Sequence, residues 1–528
     1  MAQLHRPIIG WTLAIVAGTA LGFVLGEPLL WLGIATLCCG FTWLYRKGMA
    51  VSLSICLLAL CLTGWRTSCV REQDVAVRIR LKELQREGSY FRLKATVTND
   101  RQIIWRKRGG PYCRFSVENA FFDSGTEIHG VDLSIYYYDR SGQFPETGET
   151  WLMYGKLRKN SWGYRMGVSV QGDTATHLIA EDRLTTPQYR FIAFRNKLAG
   201  YLALGVSLNE ALLTQTMVLG GRSRLPYKLS HQYADAGIIH IFAISGLHIG
   251  IVAGLLLWIF GGIGFRLRTR AFLLLPLLCG YLLLTGVPPS AARACLMALF
   301  YCFAPCFWRK PDAICALFVT AAIVLLIEPR WIFNVGALLS FNVMGGILLY
   351  FTPLSYFFSR AMKAHPQRQL DGDILLYPSW TVRVRRTFAA ILSLTLSAWI
   401  ASVPLCLFFF GRVSLIGLLL NLFVPMLALT VVWGACISLL TGAFLPWLAI
   451  FLNRLNAFTL SFVDWCTQQM LRLPWAVIEV SHRPSVFLVL ILEMGLITLG
   501  LWLRRVEEHL REEDPLDPCA RIVPPLDA

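Results

Sequence analysis

The chain has 528 residues, of which 55% are hydrophobic and 15% are charged, and its mean hydropathy is +0.55. This composition exceeds what the core of a soluble domain needs, so it excludes a soluble globular protein and predicts a polytopic α-helical membrane protein. The net charge of +17 has two readings, cytoplasmic anchoring of basic loops and contact with a polyanion, and the charge alone does not choose between them.

Three apolar runs open the chain, over Ile8–Gly26, Leu29–Tyr45 and Ala50–Trp65. The first run is too long for the hydrophobic region of a signal peptide, and two more follow at once. We therefore expect membrane spans and no cleaved leader. Residues 1–66 are predicted to form an N-terminal membrane segment of three spans.

Residues 67–187 change to short runs of alternating hydrophobicity that are separated by turn residues. The runs are Tyr90–Val97, Tyr112–Asn119, Val131–Tyr138, Thr150–Leu157 and Tyr164–Val170. Five such strands predict a small barrel, an external all-β OB-like domain inserted between spans three and four. Barrels of this kind commonly bind single-stranded nucleic acid on aromatic side chains beside cations. The candidate contacts are Trp105, Arg106, Lys107 and Arg108, which otherwise form a solvated turn.

The rest of the chain is predicted to be helical. Residues 188–217 have amphipathic spacing, which favours a helix lying on the membrane surface. Residues 218–440 are predicted to form the main membrane core, and residues 441–528 the last spans and a short cytoplasmic tail. The apolar runs are Ile238–Phe260, Ala271–Gly286, Ala291–Phe307, Ala313–Ile327, Ile332–Phe351, Phe388–Phe410, Val413–Leu440, Leu445–Val463 and Val486–Leu503. Together with the first three runs they predict about twelve spans.

Basic residues fall at every second boundary between the apolar runs. They are Arg6, Arg46, Lys47, Arg266, Arg268, Arg270, Arg309, Lys310, Arg383, Arg385, Arg386, Arg504 and Arg505. Lys and Arg in short loops stay on the cytoplasmic side. The pattern therefore predicts a multi-pass protein of the cell (inner) membrane, with both termini in the cytoplasm and the OB-like domain on the outer side.

Four ordered sequence blocks carry a resemblance to a known family. The first runs from Leu219 to His248 and contains the segment HIFAISGLH, and the others are Thr285–Ala294, Pro329–Phe341 and Ser397–Pro425. In this order they resemble the ComEC competence proteins, the DNA-uptake channel family of naturally transformable bacteria. The resemblance covers about residues 212–440. One departure is Val335-Gly336-Ala337, which stands where the family usually has Gly-Phe-Gln.

The resemblance implies a membrane channel that passes single-stranded DNA across the cytoplasmic membrane during natural transformation, without sequence specificity. Besides membrane lipid, the implied partners are separate DNA-receptor, nuclease and cytoplasmic helicase or ATPase proteins, since the sequence has no P-loop motif. Many family members carry a C-terminal metallo-β-lactamase-like domain. The chain has no HxHxDH cluster, so we expect a form without that domain, not an enzyme, with no cofactor and no metal site.

Polar side chains in and near the predicted spans are the candidates for lining a hydrated path, because phosphates are not tolerated in hydrocarbon. They are Arg222, Arg224, Lys228, His240, Ser245, His248, Arg293, Asn334, Ser340, Ser402, Arg412 and Asn421. The three most N-terminal cations are also suited to gripping lipid headgroups. Arg293 follows Pro288-Pro289, a helix-start signal, and it is either an inward-facing cation or one that extends to the membrane surface.

The two histidines lie eight residues apart on one predicted helix, which is too far for them to share a metal directly. His240 and His248 are satisfied core residues, pore-lining groups or separate metal ligands. Ser245-Gly246 indicates close packing of helices through small residues.

Fifteen cysteines occur in the chain, without a CxxC pair, and most lie inside predicted spans. Cys69 and Cys113 fall in the external segment, where an oxidising compartment permits a disulfide between them.

Two other classes of function remain open. One is an intramembrane serine hydrolase that uses Ser245 with His240 or His248, although His248 on the same helix lies in an awkward direction for a base. The other is a secondary transporter of a small anion, which predicts inverted repeats that the sequence does not show.

Overall fold

The computed structural model describes a helical bundle together with a β barrel. The described residues are 7–25, 59–72, 75, 79, 187–220, 225, 227–242, 244–362 and 380–512, together with residue 149 and the strands between residues 91 and 180. The predicted span Leu29–Tyr45 and most of the loops around the strands lie outside them.

The barrel is built from antiparallel strands and one parallel pair. The strands are β1 (Phe91–Val97), β2 (Gln102–Trp105), β3 (Pro111–Phe122), β4 (Glu127–Ile128), β5 (Leu133–Tyr138), β6 (Thr150–Asn160), β7 (Gly163–Ser169) and β8 (His177–Ala180). Strand β1 pairs with both β3 and β6, β3 pairs with β5, β5 pairs in parallel with β7, and β7 pairs with β6. Five strands therefore close into a ring, and the five strands predicted from the sequence are confirmed.

Side chains that alternate along the strands fill the interior of the barrel. Leu93, Ala95 and Val97 of β1 are buried, as are Ile135 of β5 and Met153 of β6. This spacing follows from the period of two residues in a strand. The alternation that predicted the strands is thus the pattern that places their apolar side chains inside.

Fourteen helices are described along the rest of the chain. They are α1 (Pro7–Leu25), α2 (59–72), α3 (Pro187–Leu202), α4 (Leu208–Leu219), α5 (Tyr227–Asp235), α6 (Gly246–Gly262), α7 (Leu267–Leu284), α8 (Pro289–Phe303), α9 (Ala313–Ile327), α10 (Val335–Ala361), α11 (Trp380–Phe410), α12 (Ile416–Thr441), α13 (Pro446–Met470) and α14 (Val486–Glu512). Every apolar run predicted after residue 187 overlaps one of the helices α6 to α14. Six of them are long and apolar enough to cross a membrane, and shorter apolar segments occur in α1, α6 and α9. The chain is thus a polytopic helical membrane protein, and the count of about twelve spans stays a prediction.

Five of the described helices begin at the same end of the bundle, which we call the N-terminal face. They are α6, α8, α10, α12 and α14, while α7, α9, α11 and α13 end there. At this face a short sheet joins β9 (Arg412–Ser414) after α11 to β10 (Val477–Glu479) after α13. The basic residues Arg266, Arg309 and Arg386 lie at the opposite face.

Helices α1 and α2 cross closely at two glycines. A Cβ on Gly18 would overlap the carbonyl oxygen of Leu60, and a Cβ on Gly22 would overlap that of Gly64. The hydroxyl of Ser68 donates to the carbonyl of Gly22 at 3.2 Å. Small residues four apart allow this approach of two backbones, and in lipid such packing is a main source of helix association.

The segment predicted as a single surface helix over 188–217 is instead two helices that form a hairpin. Helix α3 ends at Leu202, and Gly205 turns the chain with φ +75° before α4 begins at Leu208. The N–H and hydroxyl of Ser207 both donate to Glu210, at 2.9 and 2.7 Å, which fixes the start of α4. The prediction of one continuous helix was wrong because this turn lies within the amphipathic pattern.

The hairpin lies inside the bundle, so the expected position along the membrane surface is also corrected. The side-chain amide of Asn453 on α13 donates to the carbonyls of Tyr201 and Leu204 at 2.9 and 3.1 Å, and its oxygen accepts from Ser438 on α12 at 2.7 Å. The turn therefore sits near the opposite face. The hairpin returns to the N-terminal face, where Gly220 follows α4 and packs against the carbonyl of Thr285. Polar groups of this segment bond to polar groups of the bundle. Its amphipathic pattern therefore does not indicate a face exposed to water.

The predicted span Ile238–Phe260 is also divided. Residues Ile239–Ile241 form one turn of 3₁₀ helix, and α6 begins only at Gly246. The two histidines predicted to share a helix are therefore on separate elements, with His240 exposed and His248 fully buried. The apolar run conceals this break because both pieces bury similar side chains.

We expect Gly22→Val to separate α1 from α2 because the new side chain overlaps the carbonyl oxygen of Gly64. Overpacking of this kind costs about 1–3 kcal/mol. Thermal unfolding of the purified protein in detergent measures the loss. Gly254→Val is the control, since a Cβ at Gly254 meets open space, and equal stability of the two variants would contradict the close crossing.

We expect Asn453→Leu to destabilise the hairpin, because it leaves the carbonyls of Tyr201 and Leu204 without a donor. An unpaired buried polar group costs about 1–3 kcal/mol. Limited proteolysis at the hairpin turn, followed by mass spectrometry, should become faster. Thr459→Leu on the same helix is the control, since its hydroxyl bonds only to its own helix. Unchanged cleavage in Asn453→Leu would place the hairpin outside the bundle.

Candidate functional site

Three helix starts converge at the N-terminal face and bring together predicted residues from three sequence blocks. Ser245 precedes α6, Arg293 lies one turn into α8, and Ser340 lies in the second turn of α10. The resulting cluster of Ser245, Gly246, His248, Arg293 and Ser340 is called the start-site cluster below. The three blocks are far apart in sequence. The fold therefore brings the residues of this cluster together.

Arg293 is the cation of the cluster, and its side chain points into the bundle. It is only 8% exposed. Its Nε donates to the hydroxyl of Ser340 at 2.9 Å, its Nη1 contacts Met297 Sδ at 3.6 Å, and its guanidinium lies 5.9 Å from the ring centre of Phe341. Of the two orientations left open by the sequence, the structure has the inward one.

Gly246 allows the guanidinium to approach the start of α6. A Cβ at Gly246 would lie 2.9 Å from Arg293 Nη2. Any other residue would therefore push the arginine away. The close packing predicted for Ser245-Gly246 is confirmed, but its partner is a charged group on α8 as well as Ala294.

Ser245 and His248 form a reciprocal cap at the start of α6. The backbone N–H of Ser245 donates to Nδ1 of His248 at 3.3 Å, and the Ser245 hydroxyl lies 2.9 Å from the same nitrogen. His248 thus occupies the place that Glu or Gln takes in a capping box. For Nδ1 to accept these bonds, the proton of the neutral ring is assigned to Nε2. The structure gives that buried Nε2 no hydrogen-bond partner among the described residues.

A tight turn positions Arg293. The turn between α7 and α8 has positive φ at Gly286 (81°) and at Val287 (52°). A β-branched residue in this region is strained. Pro289 then starts α8, and Ser290 on its first turn donates to the carbonyl of Ile244 at 2.8 Å. This bond ties the start of α8 to the chain just before α6.

Three carboxylates at the N-terminal face are engaged with groups other than Arg293. Asp235 pairs with Arg412, and Glu328 accepts from the backbone N–H of Arg330 at 3.3 Å. Asp464 accepts from Gln232 at 2.9 Å and from Tyr233 at 3.1 Å. No carboxylate of the described residues forms an ion pair with Arg293. Asp235 thus pairs with an arginine, and Glu328 caps the 3₁₀ turn that begins at Pro329.

Four other predicted path residues lie outside the start-site cluster. Asn334 caps α10 by accepting from the N–H of Ala337 at 3.1 Å, and Ser402 donates to the carbonyl of Trp399 on its own helix at 2.9 Å. Arg412 is held by Asp235. Asn421 has a buried Oδ1 that accepts no bond from the described part of the chain. None of these groups forms a hydrogen bond with Arg293.

Several predicted residues cannot be placed. Arg222, Arg224, Arg106, Lys107 and Arg108 lie outside the described residues, as do the side chains of Lys228, Trp105 and Cys113. Cys69 is a half-buried free cysteine. The disulfide with Cys113 and the DNA contacts of the barrel stay predictions.

A polar pair on the other side of α10 was not foreseen as a pair. Asn342 donates to Glu493 on α14 at 2.9 Å and to the carbonyl of Ala401 at 2.7 Å. Both side chains line a largely apolar cavity of about 450 Å³ between α1, α9, α10 and α14. The signal was available, because an acidic residue within an apolar run marks a buried polar contact.

The fold and the start-site cluster define a polytopic helical membrane protein with a buried cation at the meeting point of several helix starts. The family model described as "Competence protein" matches residues 217–506, which include the whole cluster. The chain therefore belongs to the competence protein family, that of the ComEC proteins which its sequence blocks resemble. No solved structure matches the chain.

Two curated proteins are similar to this chain over part of their length. The first is "ComE operon protein 3" of Bacillus subtilis (strain 168), 25% identical over 289 residues, which is 52% of this chain and 33% of that protein. The second is "Competence protein ComA" of Neisseria gonorrhoeae, 30% identical over 159 residues, which is 28% of this chain and 22% of that protein. The similarity thus spans at most a third of either relative.

We expect His248→Gln to keep most of the stability of the protein, because Gln at this position also accepts from the N–H of Ser245. His248→Leu removes the acceptor and should cost about 1 kcal/mol, the usual loss of a helix cap. Thermal unfolding in detergent compares the two variants. If both lose the same stability, the cap is not what His248 provides.

Proposed function

We propose that this protein passes single-stranded DNA across the cytoplasmic membrane during natural transformation. Membership of the competence family supports a role in DNA uptake. The observation that carries the step to a conduit is the inward-facing Arg293, a buried cation without a carboxylate among the described residues of the membrane bundle. Ionisable groups inside a membrane bundle commonly mark the route of a charged substrate.

The dimensions of the bundle favour one strand over a duplex. The major groove of B-DNA alone is about 12 Å wide, whereas packed helices are spaced about 8–10 Å apart. Admitting a duplex would require the helices to give up their packing. A single strand needs less space, and its bases tolerate an apolar wall better than its phosphates do.

The β barrel, interpreted as an OB-like domain, also supports the proposal of a conduit for single-stranded DNA. Its five-strand ring, with β5 and β7 parallel, supports the proposal of an OB-like barrel. Such domains hold single strands by stacking and by cations, which is the role proposed for Trp105 and the three basic residues after it. The barrel would present a strand to the N-terminal face of the bundle.

The distribution of charge supports an outer position for that face. Arg266, Arg268, Arg270, Arg309 and Lys310 lie at the opposite face, in the connections before α7 and α9 or in the first turn of α7. Basic residues in short loops favour the cytoplasm. The start-site cluster would then lie where a strand enters from outside, and both termini would be cytoplasmic.

Other proteins would supply the energy and the degradation of the second strand. The sequence has no P-loop motif, and no cluster of metal ligands occurs among the residues that the structure describes. A receptor, a nuclease and a cytoplasmic ATPase or helicase are the proposed partners.

Deletion of the gene in a transformable host should abolish the transfer of labelled DNA into the cytoplasm, because the conduit is missing. DNA bound at the cell surface should remain, and its protection from added nuclease distinguishes the two pools. Restoring the gene should restore protected label. If the deletion strain internalises as much label as the parent, the proposed function is wrong.

One observation favours a second candidate, an intramembrane serine hydrolase. Ser245 Oγ lies 2.9 Å from His248 Nδ1, a distance within reach for a nucleophile and its base. No group among the described residues orients the ring through Nε2. Ser245→Ala separates the functions: loss of peptide hydrolysis with intact DNA uptake would support the hydrolase, and unchanged uptake without any hydrolytic activity in the parent would exclude it.

A further inference from the structure

We infer that the start-site cluster binds a phosphodiester group of the DNA backbone between the guanidinium of Arg293 and the start of α6. This inference rests on the proposed function and adds to it a position and a chemical class of ligand. It uses Arg293 and Gly246 as the contacting residues, and Ser340 as the residue that positions the arginine.

The first argument is the sign of the charges that face each other. The start of an α-helix carries about half a positive charge, because its first N–H groups have no partner within the helix. Arg293 Nη2 is directed at this start, close to Gly246. Two positive groups thus meet in a poorly solvated place, and they repel unless an anion lies beside them.

The second argument is that the protein does not supply this anion. No ion pair joins Arg293 to a carboxylate of the described residues, and Asp235, Glu328 and Asp464 of the N-terminal face bond to other donors. Burial of an unpaired charge is expensive. An external anion completes the balance, in the way that phosphates bind at other helix starts.

The third argument is the hydrogen-bonding capacity left at the site. Nε of Arg293 is used by Ser340 and Nη1 faces Met297, whereas Nη2 makes no hydrogen bond to the described residues. Gly246 and Leu247 carry the first N–H groups of α6, and both residues are partly or fully exposed. A phosphate oxygen can therefore accept from Nη2 and from this helix start at once. Phosphate contacts of this kind carry no sequence information, as a conduit for any sequence requires.

The test measures binding of a fluorescent oligothymidine to the purified protein in a phosphate-free maltoside detergent. For single strands, the slope of log affinity against log salt is about 0.7 for each phosphate contact. We expect Arg293→Gln to weaken binding and to reduce this slope by about 0.7. Arg386→Gln, an equal loss of charge at an exposed residue of the opposite face, is the control and should keep the slope. An unchanged slope in Arg293→Gln would overturn the inference.

A second pair of variants keeps the test valid if Arg293→Gln does not fold. Gly246→Ala places a methyl group 2.9 Å from Nη2, so it should weaken oligonucleotide binding while all charges remain. Gly250→Ala, on the same helix and in open space, should bind as the parent does. Equal binding by the two alanine variants would overturn the assignment to this position.

Binding experiments with three further ligands distinguish a phosphodiester of DNA from free phosphate and from a lipid headgroup. A methylphosphonate oligonucleotide, which lacks the backbone charge, should bind Arg293→Gln and the parent equally. Inorganic phosphate and short-chain phosphatidylglycerol are added as competitors of the charged oligonucleotide. If only phosphatidylglycerol binds in a manner that depends on Arg293, the site is a lipid headgroup site and the inference is wrong.

Failure of the phosphodiester site and failure of the proposed function give different experimental results. If gene deletion abolishes uptake but Arg293→Gln binds DNA with an unchanged slope, the conduit stands and this site is wrong. If deletion leaves uptake intact, the conduit fails whatever the slope shows.

Discussion

The constraint behind this structure is that a polar group placed among membrane helices must find its partner within the protein. Most of the groups described meet it locally, as Ser402 does through its own helix, or across the bundle, as Asn453 does with the hairpin turn. Each such bond fixes one element against another because no water competes for it. Arg293 is an exception with respect to charge, since its hydrogen bonds within the described part of the chain are to neutral groups. The exception is what makes its surroundings a candidate for binding.

The elements near Arg293 are arranged around that exception. The strained turn at Val287 and the bond from Ser290 to Ile244 set where α8 begins relative to α6. The cap between Ser245 and His248 fixes where α6 begins. Ser340 holds the guanidinium from a third helix. Local backbone geometry on three helices thus determines the position of one charge, although the three helices come from separate parts of the sequence.

The sequence predicted the elements better than their breaks. The apolar runs after Pro187 located the helices α6 to α14, and the alternation of hydrophobic residues located the five strands of the ring. It missed the turn at Gly205 and the 3₁₀ segment at Ile239–Ile241 because both lie within runs of uniform character. The hairpin was assigned to the surface because the sequence does not show that Asn453 binds the backbone carbonyls of its turn. These errors concern tertiary contacts, which periodicity does not encode.

For the candidate site, residue types were predicted well and geometry poorly. Ser245, His248, Arg293 and Ser340 were all singled out, yet their convergence required the order of helices in space. His248 was interpreted as a satisfied core residue, a lining group or a metal ligand, and its role as a cap acceptor is visible only in the bond to the N–H of Ser245. Glu493 and its bond to Asn342 were missed, although an acid within an apolar run is a recognised signal.

The hairpin of α3 and α4 also explains why an incorrect assignment of this segment leaves the topology intact. Its two arms run in opposite directions, so the chain enters and leaves on the same side. A surface helix and a re-entrant pair both contribute an even number of crossings. Each later helix therefore crosses in the same direction in either case. The side on which each later loop lies does not depend on whether this segment is embedded.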